Sequence, residues 1–250
     1  MIVSHRYRFI FIHCRKVAGS SIKATLGPIL GLDDVMIGGV HESLRNGGRL
    51  TRPSKRALVH PKAWVGMGRA AARRQPRDEI INAGIKARYY GWLSKSPDHP
   101  TAEESRALFP DEWGSYYKFC FVRNPYERVL SEYFWRKKNT GVSVSFLEYL
   151  KLLQAPADPT GIVPERIDNW DMYTLDGAIA VDFVGRYETL EPDFQKVCQH
   201  LKLPVEGLSA RRKVGQYKRD LASYYGPAEQ ELVATLYARE IDAFGYQPIA

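Results

Sequence analysis

Lys16, Gly19, Ser20 and Ser21 fall within six residues of one another in "HCRKVAGSSIK", His13 to Lys23. A lysine is a mobile point charge, and a serine hydroxyl is both a donor and a helix cap. Gathered at a helix entrance they suit an anion, because free backbone N–H groups and the helix dipole there favour negative charge. A second constellation lies in "FVRNPYERVLSEY": Arg123 is a planar, bidentate partner for phosphate, and Ser131 adds a donor. Each group also has a plain structural reading. Ser20 and Ser21 suit a cap, Arg123 suits an ion pair with Glu127 or Glu188, and Ser131 suits a solvated helix surface. The lysine precedes the glycine, so the Gly-Lys-Ser/Thr of a Walker A loop is absent and an ordinary ATP or GTP site fits poorly.

The flanking patterns state how these residues are positioned. "YRFIFI" is aromatic and β-branched, which predicts a buried strand ahead of the first loop. Ile22 and Leu26 stand one helical turn apart, and Gly27-Pro28 ends that helix. "YYKFCFV" predicts a second strand with Arg123 at its C-terminal end, Asn124 as N-cap and Pro125 as first helical residue. Tyr126, Val129, Leu130, Tyr133 and Phe134 follow the helical period, which predicts packing on the sheet, with Ser131 on the flank. Thr101 with Glu104, and Ser145 with Glu148, read as capping boxes, and Pro110 closes the first of these helices. Residues 31 to 75 are rich in Gly, Pro, Arg and Lys with weak periodicity, which predicts loops, and residues 78 to 93 predict a helix. "VDFVGRYE" reads as a strand, "PDFQKVCQHL" as a helix, and Pro227 opens a last amphipathic helix.

Strands alternating with helices predict an α/β fold with a mainly parallel central sheet flanked by helices. Its ligand site lies beyond the strand C-termini. The chain reads as one domain over 1–250, with 31–98 a loop-rich, substrate-facing insertion. If the two motif-bearing strands are neighbours, both motifs reach one crevice and suit a ligand with two separated anionic groups.

Composition is that of a folded protein, with 44% hydrophobic residues. No apolar run is long enough to span a bilayer, and no signal-peptide layout opens the chain. Cys14, Cys120 and Cys198 are widely spaced, which predicts reduced, buried thiols and a cytoplasmic location. The formal charge of +8 gathers in "RLTRPSKR", "RAAARRQPR" and "SARRKVGQYKR". These carry no nucleic-acid motif, so solvated faces are expected and nucleic acid is not.

"KVAGSSI" followed by "FVRNPYERVLSEY" resembles the sulfotransferase superfamily, most nearly the carbohydrate sulfotransferases related to the chondroitin, dermatan and heparan 2-O enzymes. "DFVGRYETLEPDF" and "LYAREIDAFGY" extend the likeness over nearly the whole chain. The resemblance implies a P-loop-NTPase-like architecture and 3'-phosphoadenosine-5'-phosphosulfate (PAPS) as sulfuryl donor. It implies that Lys16, Ala18, Gly19, Ser20 and Ser21 grip the 5'-phosphosulfate, and that Arg123 and Ser131 hold the 3'-phosphate. Arg15 stands where many relatives have proline, and adds charge at the loop or points to solvent. Arg212 and Lys213, in a basic C-terminal loop, are candidates to close over the 3'-phosphate. The membrane anchor of Golgi relatives is missing, which implies a soluble, bacterial-type enzyme acting on a hydroxyl-bearing glycan or glycolipid.

Sulfuryl transfer needs charge stabilisation at the leaving phosphate, assigned to Lys16, and a base for the acceptor hydroxyl. No metal is required. His99 precedes the capped helix, near where related carbohydrate enzymes place a histidine base, and histidine titrates near neutrality without tuning. His41, His60, Glu103 and Glu104 are the alternatives, while His13 reads as packing and His5 and His200 as peripheral. Two rival readings keep the fold: a non-catalytic nucleotide- or glycan-binding protein, and a P-loop-like kinase.

Overall fold

The computed structural model describes residues 1–93, 96–208 and 221–249. From the N-terminus, β1 (Ile2–Ser4) and β2 (Phe9–Phe11) lead into α1 (Gly19–Leu26), and β3 (Val35–Met36) follows. Next come α2 (Val40–Leu44), α3 (Arg52–Leu58), α4 (Pro61–Ala72), α5 (Arg77–Tyr89), α6 (Ala102–Leu108) and α7 (Pro110–Ser115). β4 (Tyr117–Val122) feeds α8 (Pro125–Thr140), then α9 (Phe146–Gln154) and α10 (Trp170–Tyr173). A small hairpin, β5 (Thr174–Leu175) and β6 (Ala178–Ile179), precedes β7 (Phe183–Arg186) and α11 (Leu190–His200), and α12 (Pro227–Leu236) and α13 (Ala238–Phe244) finish the fold. The described residues form two compact units, 1–121 with 171–208, and 122–170 with 221–249.

The first unit is built on a five-stranded sheet of order β3-β1-β2-β4-β7. β1 runs antiparallel to both β2 and β3, and β2 pairs parallel with β4, so β2, β3 and β4 point the same way. The sheet is thus mainly parallel, and its two motif-bearing strands are neighbours, registered Phe9 to Tyr117 and Phe11 to Phe119. Phe119 packs 5.6 Å from Phe9 and 5.3 Å from Phe11 between ring centroids. All three rings are fully buried, each worth about 1.5–3 kcal/mol of hydrophobic stabilisation. The three cysteines are buried free thiols, as their spacing predicts.

Residues 31–98 depart from the loop-rich expectation, because four helices, α2 to α5, occupy them. Thr51 caps α3 by accepting from the Ser54 N–H, the His60 imidazole caps α4, and Pro53 and Pro61 sit in the first helical turns. The apolar periodicity is weak because α4 and α5 pack through small residues. A Cβ on Gly66 would lie 2.6 Å from that of Ala87, and one on Gly84 2.6 Å from Met67. α6 ends at Leu108, just before Pro110 as expected, and Pro110 also opens a further short helix, α7. The two expected capping boxes are present at Thr101–Glu104 and Ser145–Glu148.

In the second unit α8 buries Tyr126, Val129, Leu130 and Tyr133 among Phe146, Tyr149 and Leu150 of α9 and Val233 of α12. Helices cover that face where the sequence pattern predicts a sheet. Amphipathic periodicity shows which side of a helix is buried and not what buries it. No helix among the described residues is long and apolar enough to cross a membrane.

Candidate active site

β2 extends its pairing by one residue, with Ile12 N–H donating to the Phe119 carbonyl at 2.9 Å, and the chain then leaves the sheet. Lys16 and Ala18 both adopt left-handed backbone, with φ of 61° and 65°. Such non-glycine conformations cost about 1–3 kcal/mol each and persist only where their surroundings hold them. Ala18 is the N-cap of α1, and its carbonyl accepts from Ser21 N–H at 2.9 Å and Ile22 N–H at 3.2 Å. The N–H groups of Gly19 and Ser20 precede those bonds, at the positive end of the helix. No side-chain cap is formed, so Ser20 and Ser21 do not take the capping role their type suggests. The first turn of α1 carries no acid, and Arg15 and Lys16 stand just ahead of it. That donor set fits an anionic group.

Gly19 is required by a close approach: a Cβ there would lie 1.8 Å from Cδ2 of His13. The His13 ring in turn packs 4.4 Å from the ring of His99, tilted by 52°. His99 donates from Nδ1 to the His13 carbonyl at 2.6 Å, which leaves Nε2 as the ring's lone-pair nitrogen. Burial strips the imidazolium of water and pulls the His99 pKa down to about 3, over the opposing pull of the Asp98 carboxylate. The expected titration near neutrality is therefore corrected: His99 is neutral across the physiological range.

Asp98 belongs to a partly buried charge cluster that no spacing in the sequence announces. Burial pushes its carboxyl up, but Lys86, ion-paired to it, and Lys23 outweigh that and hold it at about 2. Lys23 is fully buried, which lowers it to about 8, and its Nζ donates to the carbonyls of Ile37 at 3.2 Å and Gly38 at 2.9 Å. Gly38 has φ of 69°, and a Cβ there would fall 1.4 Å from Asp98 Oδ1. The signal in the sequence was "IGGV", a pair of glycines with no turn partner, beside a lysine on the α1 face that otherwise reads as apolar.

The other candidate histidines have structural partners. His60 caps α4, His41 lies 3.3 Å from Glu42, His5 bonds Tyr116, and His200 packs on Tyr117. Glu104 is spent in its capping box, and Glu103 lies in the first turn of the same helix. Among the described residues no cluster of three or more His, Cys, Asp or Glu has metal-ligand geometry.

In the second unit, Asn124 caps α8 through a 3.0 Å bond from Tyr126 N–H, and Pro125 follows as expected. Arg123 is 4% exposed, and its Nη2 lies 2.6 Å from Glu127 Oε2, one of the two ion pairs its position allowed. Ser131 is buried rather than solvated. Further along α8, Arg128 pairs with Glu240 at 2.7 Å and lies 4.7 Å from the Tyr237 ring centroid, a tie to α13 with no counterpart in the sequence reading. Arg212 and Lys213 lie outside the described residues.

Residues 1–247 match the model of the sulfotransferase family. A stretch of 95 residues is 34% identical to an uncharacterized protein of Archaeoglobus fulgidus, covering 36% of this chain and 72% of that protein. No solved structure matches the chain.

Proposed function

This chain belongs to the sulfotransferase family, and from that premise we propose that it transfers a sulfuryl group from PAPS to a hydroxyl of a carbohydrate acceptor. When bound, PAPS supplies the sulfuryl group and a phosphate leaving group. Lys16, with the N–H groups of Gly19 and Ser20, the Ser21 side chain and the Ala18 turn, holds the 5' end and meets the charge that develops there. Arg15 adds positive charge to that field. Arg123 and Ser131 hold the 3'-phosphate, the arginine by exchanging part of its contact with Glu127. His99 accepts the acceptor's proton at Nε2. Of residues 31–98, we place α5 toward the acceptor, since Lys86 ties it to Asp98 beside His99.

The observation that carries this reading is the contact between His99 and the loop of Lys16. A neutral imidazole with a defined tautomer is bonded to His13, whose ring abuts Gly19 at an acid-free helix N-terminus. The test is transfer of mass-labelled sulfate from PAPS to a panel of glycans, phenols and lipids. Thermal stabilisation by 3'-phosphoadenosine 5'-phosphate against ADP accompanies it. Transfer to a glycan with preference for the 3'-phosphorylated nucleotide is expected. Preference for ADP with a strict metal requirement would assign a kinase instead, and binding without transfer to any acceptor would assign a non-catalytic protein.

A further inference from the structure

Residues 45–77 contain ten Lys and Arg and no Asp or Glu, while the rest of the chain has 26 basic against 28 acidic residues. The whole positive excess therefore sits in one segment, α3 and α4 with their flanks. Arg45 is paired with Asp78 and Glu79, and Arg52 with Asp33. Among the described residues the other eight meet no carboxylate. Three of them, Lys62, Arg69 and Arg73, line a cavity of about 510 Å³ beside α5, with Val65 and Tyr90 also on its wall. Glu79 and Lys86 line it too, but Arg45 and Asp98 respectively engage them.

Exposed apolar side chains gather on the same stretch. Of eight large ones among the described residues, five are Val59, Trp64, Val65, Tyr90 and Trp92, and Val59 and Trp64 are 71% and 60% exposed. Trp64 donates from Nε1 to the Leu58 carbonyl at 3.1 Å, which lays the indole at the α3 end next to Val59. Lys62 donates to the Tyr90 carbonyl at 3.1 Å and so brings the Tyr90–Trp92 turn beside the start of α4. A soluble polyanion would neutralise the cations and leave Val59 and Val65 in water. An anionic bilayer meets both needs, with phosphates for Lys and Arg and the acyl boundary for Val and Trp.

We propose that α3, α4 and the Tyr90–Trp92 turn dock this protein onto an anionic membrane surface, with a lipid phosphate held among Lys62, Arg69 and Arg73. Docking lies outside the sulfuryl-transfer reading, and its test reads binding rather than turnover, so either can fail alone. The full chain is floated with phosphatidylcholine vesicles containing ~30% phosphatidylserine and with phosphatidylcholine alone, with and without soluble glycerophosphoserine or heparin. Two variants, Arg69→Glu/Arg73→Glu and Val59→Ser/Trp64→Ser, change exposed positions, and their circular dichroism is expected to match wild type. Binding to the anionic vesicles alone is expected, with a ~10-fold or greater loss in both variants and no competition by glycerophosphoserine. Failure to bind the anionic vesicles would overturn docking, as would equal binding to both vesicles. Full retention by Val59→Ser/Trp64→Ser with complete displacement by heparin would show a polyanion site instead, and displacement by glycerophosphoserine a soluble-phosphate site.

Discussion

His99 donates its Nδ1 proton to the carbonyl of His13 at 2.6 Å, and His13 lays its ring against Gly19 at the mouth of α1. One hydrogen bond thus sets the tautomer of the candidate base and ties it to the anion loop. His99→Ala is expected to lower turnover by ~100-fold or more while 3'-phosphoadenosine 5'-phosphate binds nearly as well. Because the free imidazole titrates at about 3, kcat/KM should show no acidic limb between pH 5 and 8. Normal turnover in the variant would contradict this assignment, whereas an acidic limb near neutrality that the variant removes would keep His99 as the base and contradict its depressed pKa.

Gly19→Ala tests the same arrangement from the other side. The new Cβ would enter the His13 ring, so the imidazole must move and carry the His99 contact with it. Overpacking of this kind costs about 1–3 kcal/mol of stability. A ~10-fold or larger fall in kcat is expected alongside a lowered melting temperature. Unchanged kinetics and stability would mean that His13 yields freely and does not position His99.

Much of this site was legible because its parts follow local rules. Asn-Pro after a second strand fixes the start of α8 through chemistry within a few residues, and a Lys-x-x-Gly-Ser-Ser turn marks the start of α1, where no side chain caps. The pairing of the two strands was legible only as a condition, and the register of Phe11 with Phe119 meets it. What stayed hidden depends on distant burial. The Asp98–Lys86–Lys23 cluster joins three sequence-remote segments, and the depressed pKa of His99 comes from desolvation that no spacing reveals. The α4–α5 pair was hidden for a different reason: Gly and Ala contacts bring helices together without the large apolar stripe on which periodicity relies.

Lys16 is held in left-handed backbone at the entrance to α1. Charge builds on a leaving phosphate only during transfer, so Lys16 should act on the transition state more than on the ground state. Lys16→Ala is expected to lower kcat by ~10²–10³-fold while affinity for the product nucleotide falls only modestly. Rapid-quench turnover with calorimetry on the same variant separates the two. Near-normal kcat would remove Lys16 from the mechanism.

Arg123 pairs with Glu127 at 2.6 Å, so a 3'-phosphate must compete with a carboxylate already in place. Arg123→Ala should weaken 3'-phosphoadenosine 5'-phosphate by about 1.5–3 kcal/mol and adenosine 5'-phosphate far less. Glu127→Gln should leave binding of the first nucleotide intact or tighten it. Equal losses for both nucleotides in Arg123→Ala would leave the arginine a structural role only.

Acid stability gives the last test, and its sign follows from two depressed values. Unfolded His99 titrates near 6.5 and folded His99 at about 3, so between them the unfolded chain holds a proton that the folded chain does not. The stability contributed by the neutral ring is complete above 6.5 and is lost as pH falls toward 3. Asp98 acts lower: from 3.8 unfolded to about 2 folded, its contribution is complete above 3.8 and is lost as pH falls through 2. Between pH 6.5 and 4 His99 adds a slope of at most ~1.4 kcal/mol per pH unit for one proton, the Met1 ammonium, whose pKa burial also lowers, adds its own, and comparison with His99→Gln separates the two. Urea denaturation of wild type and His99→Gln across that window measures it. Wild type should lose stability toward pH 4 more steeply than the variant, whose amide cannot titrate. Parallel curves would mean that the folded protein binds a proton at His99 as readily as the unfolded chain does, and the imidazole would then be a solvated group rather than a neutral base fixed against the anion loop.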